Sequence, residues 1–512
     1  MGVLRIFQKF LEKKSHENVD TLQGEIGNKF TWTTFGLISP KTEKKMYWWG
    51  VPGLGLAGVN DFLNLFLLYY YNQILGLSAA LAGIALFISV VFDAVSDPVI
   101  AYWSDRHNGK FGRRIPFMFM GVIPMSFCCL LLFLLHLGEE QWVLFAQLTV
   151  LIVFFRISQT IFAVPRFALG VELYKDYSKR NQLIGTDRIF EIFGTALCLG
   201  PIMLLMPDWD QGSLYPWAAV WVAFLLGWSA YLGTVKLSAV EKNYLQLDRA
   251  GKAADFSVSM LLREVRSLID NKNWMTLLVA FLFFSVNGRI QSSDSIYLNN
   301  FLFKFDPRDL FWAGPLQLGG GAITALLTWR IATGRNKRNL VLIAGGLSFI
   351  VNPLLIGLMA LDYYFGYNMI PDSGGGVLSP LWWIWAFHGF LNGAIWTFFI
   401  ILVVSMFADV VEDHQASTGS RSDGLVLVGR NLVTKLVASV GVLFAGFMIQ
   451  WAGFDEANTI ELKEVAVYKF VVIKIAISSL LVPLALLCLS RYSLTEDQHL
   501  ANLTQLGYEN GN

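Results

Sequence analysis

Two carboxylates four residues apart, Asp93 and Asp97, stand inside a long apolar run, and Pro98 follows the second. That spacing puts both on one face of a helix. Proline has no N–H, so it leaves a nearby backbone carbonyl without its helical donor. Two acids and a loosened backbone suit a cation held through oxygens. Na⁺ is the metal ion that fits, and the alternative is a shared proton, because close like charges favour protonation of one group. A third reading pairs Asp97 with Arg106 or Arg113 as a gate. Asp61 lies between Asn60 and Asn64 and is followed by Tyr69-Tyr70-Tyr71. The polar cluster suits a substrate or coupling role, or the interhelical hydrogen bonding that Asn commonly does in membranes. The tyrosines suit stacking on a ring or packing at the interface.

Other ionisable residues also sit where lipid should be. A fourth run carries Arg156, Gln159 and Arg166, with Pro165 dividing its helix segments. Asp187, Arg188 and Glu191 open the fifth. The rigid fork of Arg188 suits a carboxylate, a phosphate or sugar hydroxyls, or an ion pair with Glu172 or Asp176. Arg166 reads as a gate residue rather than a ligand. Lys435 stands alone in the eleventh run. A buried ammonium needs a partner, and Asp93 or Asp97 is the natural one, with Asp409 or Asp61 as alternatives. Arg289 and Asp294 fall near the outer end of the seventh run, as an external gate or a substrate contact. His388 is the one histidine deep in a run; packing beside Trp385 is favoured over a proton relay.

The elements that must position these residues are membrane helices. Of 512 residues 55% are hydrophobic and 15% charged, against about 25% charged in a soluble domain. The 17 Trp, 17 Tyr and 40 Phe suit a chain whose aromatic side chains gather at lipid interfaces. Thirty-nine Lys and Arg against 38 Asp and Glu leave no basic face for a nucleic acid. A spanning helix needs about 20 mostly apolar residues, and twelve runs qualify. They lie at about 47–74, 80–104, 115–137, 142–170, 185–206 and 214–237, then 273–300, 309–332, 339–361, 380–408, 424–451 and 465–490.

The expected organisation is a cytoplasmic segment 1–46, a six-helix bundle 47–237, a cytoplasmic loop 238–272, a second bundle 273–490 and a tail 491–512. Loops after even-numbered runs are basic: 104–114, then Lys175, Lys179 and Arg180, then Arg335, Lys337 and Arg338. Loops after odd-numbered runs carry Glu139 and Glu140, or Asp208 and Asp210. Basic loops stay inside, so both termini are expected in the cytoplasm, in a multi-pass protein of the inner membrane.

The bundles look like copies of one unit. Gly109 to Arg114 opens the third run as Gly334 to Arg338 opens the ninth, and Glu172 and Asp176 end the fourth as Asp409 and Asp413 end the tenth. Two parallel six-helix repeats are the plan of the major facilitator fold, an all-α membrane architecture of twelve helices.

Chemistry that the sequence lacks narrows the function. There is no Walker loop, no Gly-x-Ser-x-Gly and no His-Glu-x-x-His. The six histidines are scattered, so neither a membrane enzyme nor a built-in ATPase is expected. A sensor would need a signalling domain, and only 22 residues follow 490. Cys128, Cys129, Cys198 and Cys488 lie in apolar runs and read as packing residues.

Three motifs in order resemble the glycoside–pentoside–hexuronide:cation symporters, the family of the melibiose permeases. They are Asp61-Phe62 through Phe92-Asp93-Ala94-Val95-Ser96-Asp97-Pro98 to Gly112-Arg113-Arg114; Val164-Pro165 through Glu172 to Arg188 and Gly194; and Ala408-Asp409-Val410-Val411-Glu412 to Lys435. The resemblance runs from about 47 to 490. It implies symport of a carbohydrate with Na⁺ or H⁺, no further cofactor, a lipid surround and a monomer. It places Asp93 and Asp97 on the cation-binding carboxylates and Asp61 on the sugar-binding acid. Arg188 and Lys435 match the family's span-five arginine and span-eleven lysine. Asn64 and Phe167 are expected to join Asp61 and Arg188 at the substrate, and Lys435, Arg166, Arg113 and Asp409 to couple or gate. Three positions depart from the melibiose permeases. Ala163 replaces a second sugar-binding Asp, Phe167 replaces a Trp, and Asn60 replaces a Lys. The branch is also similar to animal lysolipid carriers, so an amphiphile is the second cargo reading.

Overall fold

A computed structural model describes residues 44–107, 112–174, 177–245, 270–371, 376–418, 439–457, 459–494, 498, 501–502 and 504. Lys435, Gly109, Asp176, Arg421 and Arg430 lie outside the described residues.

The helices follow the order of the apolar runs. They are α1 (Lys44–Tyr69), α2 (Ala79–Arg106), α3 (Ile115–Leu134), α4 (Gln141–Leu173), α5 (Tyr177–Leu205) and α6 (Leu214–Leu245), then α7 (Lys272–Ser293), α8 (Pro307–Ala332), α9 (Lys337–Phe365), α10 (Pro380–Thr418), α11 (Ser439–Ala452) and α12 (Ile460–Ser490). Eleven are long and apolar enough to cross a membrane; α11 is the described end of the eleventh run, whose first part lies outside the described residues. The chain is therefore a multi-pass membrane protein, since only elements that satisfy their own backbone can stand in hydrocarbon. α10 continues ten residues past its apolar run, to Thr418, because a helix needs no apolar side chains once it leaves the hydrocarbon. Pro165 does not divide the fourth helix as the sequence suggested: α4 is continuous from Gln141 to Leu173.

α1 to α6 pack chiefly on one another, and so do α7 to α10 with α12. Small residues allow the close approaches, as is usual without a hydrophobic drive between helices. A Cβ on Gly194 of α5 would stand 2.1 Å from Leu54 O of α1, and one on Gly320 of α8 2.1 Å from Phe390 O of α10. Outward faces are apolar: Phe92, Val95 and Val99 of α2 are exposed on the side away from Asp93.

α1 and α7 end alike. α1 passes directly into a π-helical turn, Tyr70–Ile74, and α7 reaches one, Leu298–Leu302, through a turn at Asp294 and a short helix, Ser295–Tyr297. In each, the same backbone bonds close the turn, Leu75 N to Tyr70 O and Phe303 N to Leu298 O. A left-handed residue follows at an identical offset, Gly76 at φ 76° and Lys304 at φ 54°.

Candidate functional site

A cavity of about 510 Å³ lies between the two groups of helices. α1 contributes Asn60, Asp61 and Asn64, α2 contributes Asp93, and α4, α5 and α7 contribute Arg156, Arg188 and Arg289. Asn60 and Asn64 share the cavity with Asp61, as their spacing on one turn requires. Asp61 Oδ2 accepts from the Thr195 hydroxyl at 2.5 Å. Asn60 Oδ1 accepts from Gln159 Nε2 at 3.1 Å and from Arg156 at 3.4 Å. Arg188 pairs with Glu191, one turn on, at 2.5 Å. Its side chain is 77% exposed. Glu172, a partner considered from the sequence, is engaged by Arg113 and Arg114.

Asp93 and Asp97 converge on one residue of α4. The Thr160 hydroxyl is 2.8 Å from Asp93 Oδ1 and 3.3 Å from Asp97 Oδ1. Asp93 is buried at the cavity wall and Asp97 is half-buried one turn further along. Thr160 lies four residues after Arg156, so the carboxylate pair and that arginine meet on one face of α4. Of the gate partners considered for Asp97, Arg106 lies over the Tyr102 ring at 4.2 Å and Arg113 pairs with Glu172 at 3.0 Å.

Other expected site residues stand elsewhere. Phe167 is not among the residues lining the cavity and is 59% exposed; it shares the face of α4 that carries Arg156 and Thr160 but lies two turns beyond Thr160 along the helix. Arg166 is a buried strut. Its Nε and Nη2 donate to Trp49 O at 3.0 and 2.7 Å, it pairs with Asp187, and its guanidinium lies over the Trp49 indole. Asp409 pairs with Lys337 at 2.7 Å, the second-half counterpart of the Arg113–Glu172 pair. Lys435 lies outside the described residues. His388 Nε2 donates to Val351 O at 2.8 Å and borders a second cavity of about 210 Å³ within the α7–α12 group.

Arg289 and Asp294, both expected near the outer end of the seventh run as a gate or a substrate contact, have different surroundings. Arg289 faces the central cavity, whereas Asp294 is wholly buried against Lys474 of α12, with Nζ 2.9 and 2.8 Å from its two oxygens. Lys474 was legible as one of two charges, with Lys469, inside the twelfth run. Arg289 also stands in α7 where Asp61 stands in α1, at the offset that relates Gly76 to Lys304. The repeat has inverted the charge at one position.

A Tyr-x-x-Asn sequence occurs at that offset too, at Tyr69–Asn72 and Tyr297–Asn300. It closes the end of the cavity that the loop charges assign to the outside. Asn300 Nδ2 donates to Tyr69 OH at 2.7 Å, and Tyr297 OH donates to Asn72 Oδ1 at 2.8 Å. Tyr69 also donates to Asp210 at 2.5 Å, and Asn72 donates to Asp455 at 2.7 Å. Tyr69, Tyr70 and Tyr71 are buried within the protein. At the basic end, the ion pairs among the described residues each stay within one half. Tyr297→Phe removes one latch bond, worth about 0.5–1.5 kcal/mol net. Spin labels at Gln211 and Glu456 should then report a larger outward-open fraction by pulsed dipolar spectroscopy, and Tyr231→Phe should change nothing. An unchanged distance distribution would deny the latch its role.

The described helices, eleven of them long enough to span, fall into two like groups parted around a cavity lined by charged residues, and together with the family match they define a secondary transporter of the major facilitator fold. The chain belongs to the MFS/sugar transport protein family, whose model matches residues 48–496. It is 30% identical over 277 residues to an uncharacterized symporter of Synechocystis sp., a match covering 52% of this chain and 47% of that relative, so just under half of it. A putative glycoside/cation symporter of Escherichia coli, YagG, is 20% identical over 78% of this chain and 82% of its own length. In structure the chain is similar to the nucleoside transporter NupG, with a TM-score of 0.60, 11% identity and coverage of 88% and 100%. That likeness concerns the fold alone.

Proposed function

We propose that this protein imports a small polyhydroxylated solute of the carbohydrate class together with Na⁺ or H⁺, by rocking residues 47–237 against 273–490 about the central cavity. The observation that carries the reading is the meeting of two polar sets at one cavity wall. Asp61, Asn60 and Asn64 offer hydrogen bonds to hydroxyls, and Arg188 adds a fork. One turn away, Asp93 and Asp97 share a single hydroxyl. Thr160 has one proton to give, so the second short oxygen–oxygen approach favours a cation or an added proton there. The family description and the name of the Escherichia coli relative support a sugar-type cargo, that name also supports a cation partner, and the Synechocystis relative's name supports symport. A polar lining favours a polyol over an acyl chain. The latch opposite the basic end supports an inward-open state of an inner-membrane carrier with both termini in the cytoplasm.

The reading is tested by uptake of labelled sugars and sugar acids into proteoliposomes under imposed Na⁺ or proton gradients. Uptake of none of them, or uptake indifferent to both gradients, would end it. Topology is tested by single cysteines in a cysteine-free background. Arg335→Cys should react with an impermeant maleimide only after the cells are opened, and Glu139→Cys in intact spheroplasts. The reverse pattern would invert the map.

A further inference from the structure

A groove of about 380 Å³ opens on the surface of the first bundle, between the end of α5 and the start of α6. Pro201, Leu205, Leu214, Trp217 and Trp221 line it, and no lining residue is charged. Leu205 and Trp217 are exposed, and the Trp221 indole N–H already donates to Leu197 O at 3.2 Å. Such a wall suits a hydrocarbon chain. The groove lies where α5 ends and α6 begins, the level at which a spanning helix meets the lipid headgroups and at which tryptophan gathers.

The two halves of the molecule meet beside it. Trp209, in the turn from α5 to α6, donates from its indole to Phe305 O at 2.8 Å. Arg308 of α8 donates from Nε to Leu204 O at 3.0 Å. Leu204 adjoins Leu205 of the groove wall, so an arginine of the second half stands at the rim of a groove in the first. That bond is the one Arg308 makes among the described residues, and no described carboxylate lies within 4.0 Å of it. Its exposed Nη groups are open to an acceptor. Acids stand a little further off. Asp208 and Asp306 are exposed, and Asp306 is within electrostatic reach of both Asp208 and Arg308. Asp309 is buried and accepts from Asp306 N at 3.0 Å.

An apolar groove, an open guanidinium at its rim and carboxylates beyond it match, in order, an acyl chain, a phosphate and an ammonium. We infer that this corner binds a phosphatidylethanolamine. One acyl chain lies along α5 and α6, the phosphate takes the Arg308 fork, and the ammonium faces Asp208 and Asp306. A purely anionic headgroup would set its charge against those acids, and a choline headgroup has no N–H to donate to them. The lipid joins the two halves at the end that carries the Tyr-x-x-Asn latch. Rocking them apart there would draw Arg308 from the rim, so the lipid favours the state closed at that end, by as much as its affinity differs between the two states. The inference is independent of what the central cavity carries.

The test is native mass spectrometry of the delipidated carrier, titrated with phosphatidylethanolamine, phosphatidylcholine and phosphatidylglycerol of equal chain length. The ethanolamine lipid is expected to bind about threefold to fivefold tighter than the glycerol lipid, the scale of exposed charge pairs, with the choline lipid between. Arg308→Gln should weaken all of them, and Trp217→Ala should do so without changing their order. Asp208→Asn with Asp306→Asn should erase the preference for ethanolamine over glycerol. Where a lipid-free melting curve shows Arg308→Gln to be unfolded, Arg308→Lys serves instead, with a smaller loss because it keeps the charge. Spin labels at Gln211 and Glu456 should report a larger open fraction in nanodiscs of phosphatidylglycerol than in ones rich in phosphatidylethanolamine, and Arg308→Gln should remove that difference. Binding that ignores the headgroup, tighter binding of the glycerol lipid, or affinities unmoved by either Arg308 variant overturns the inference. An open fraction equal in the two lipids overturns the lipid's hold on the halves.

Discussion

Asp93→Asn is expected to abolish cation-driven accumulation while leaving the carrier folded and able to exchange its cargo down a gradient. Asn keeps the volume and one carbonyl oxygen but removes the charge that a cation or proton must neutralise. At 100 mV one co-transported charge stores about 2.3 kcal/mol, which at about 1.4 kcal/mol per decade is roughly 40- to 50-fold in concentration. Proteoliposomes holding the variant should therefore equilibrate labelled cargo at an inside-to-outside ratio near unity, where the parent concentrates it. Thr160→Ala should weaken coupling less, because both carboxylates remain. If Asp93→Asn concentrates cargo like the parent at saturating ion, coupling resides elsewhere.

Lys474→Met is expected to have the largest effect on stability. It leaves Asp294, wholly inaccessible, without the ammonium at 2.8 Å. Breaking a buried pair from one side costs about 3–5 kcal/mol, whereas replacing both partners by apolar groups of similar volume is often neutral. Melting curves of the purified protein should fall steeply for Lys474→Met and recover in Lys474→Met/Asp294→Leu. The pair joins α7 to α12 within one half, so cargo binding at the central cavity should change far less than stability does. Strictly additive losses in the double-mutant cycle would mean that the two side chains do not hold each other.

The helices were legible because hydrocarbon admits few alternatives: a long apolar run with charged ends is already a spanning element. Asp93 and Asp97 were legible for a similarly local reason, their one-turn spacing on an apolar background. Phe167 was expected at the substrate from a family position; it shares the azimuth of Arg156 and Thr160 on α4 but stands two turns further along, off the lining of the central cavity. Arg289 and Asp294 carried one shared expectation, a gate or a substrate contact, yet Arg289 faces the central cavity and Asp294, at the end of α7, is buried against Lys474. The latch had a signal, Tyr-x-x-Asn twice at one offset, but its function depends on the two copies meeting across the molecule, which no single segment reveals. Lys474 had a signal as well, a charge deep in an apolar run, but not one that names its partner.

The inverted pair of equivalents, Asp61 in α1 and Arg289 in α7, gives the cavity a fixed polarity. If the ancestral unit bore one residue type at both positions, a bound molecule could turn end for end with little change in energy. Here it cannot. A cargo whose two ends differ in charge would meet attraction in one pose and repulsion in the other, because Asp61 repels an acid and Arg289 repels a base. Such a cargo would be carried with the same end leading each time, and a stereoisomer that turns its groups to the wrong wall would be refused even when its size and charge are right.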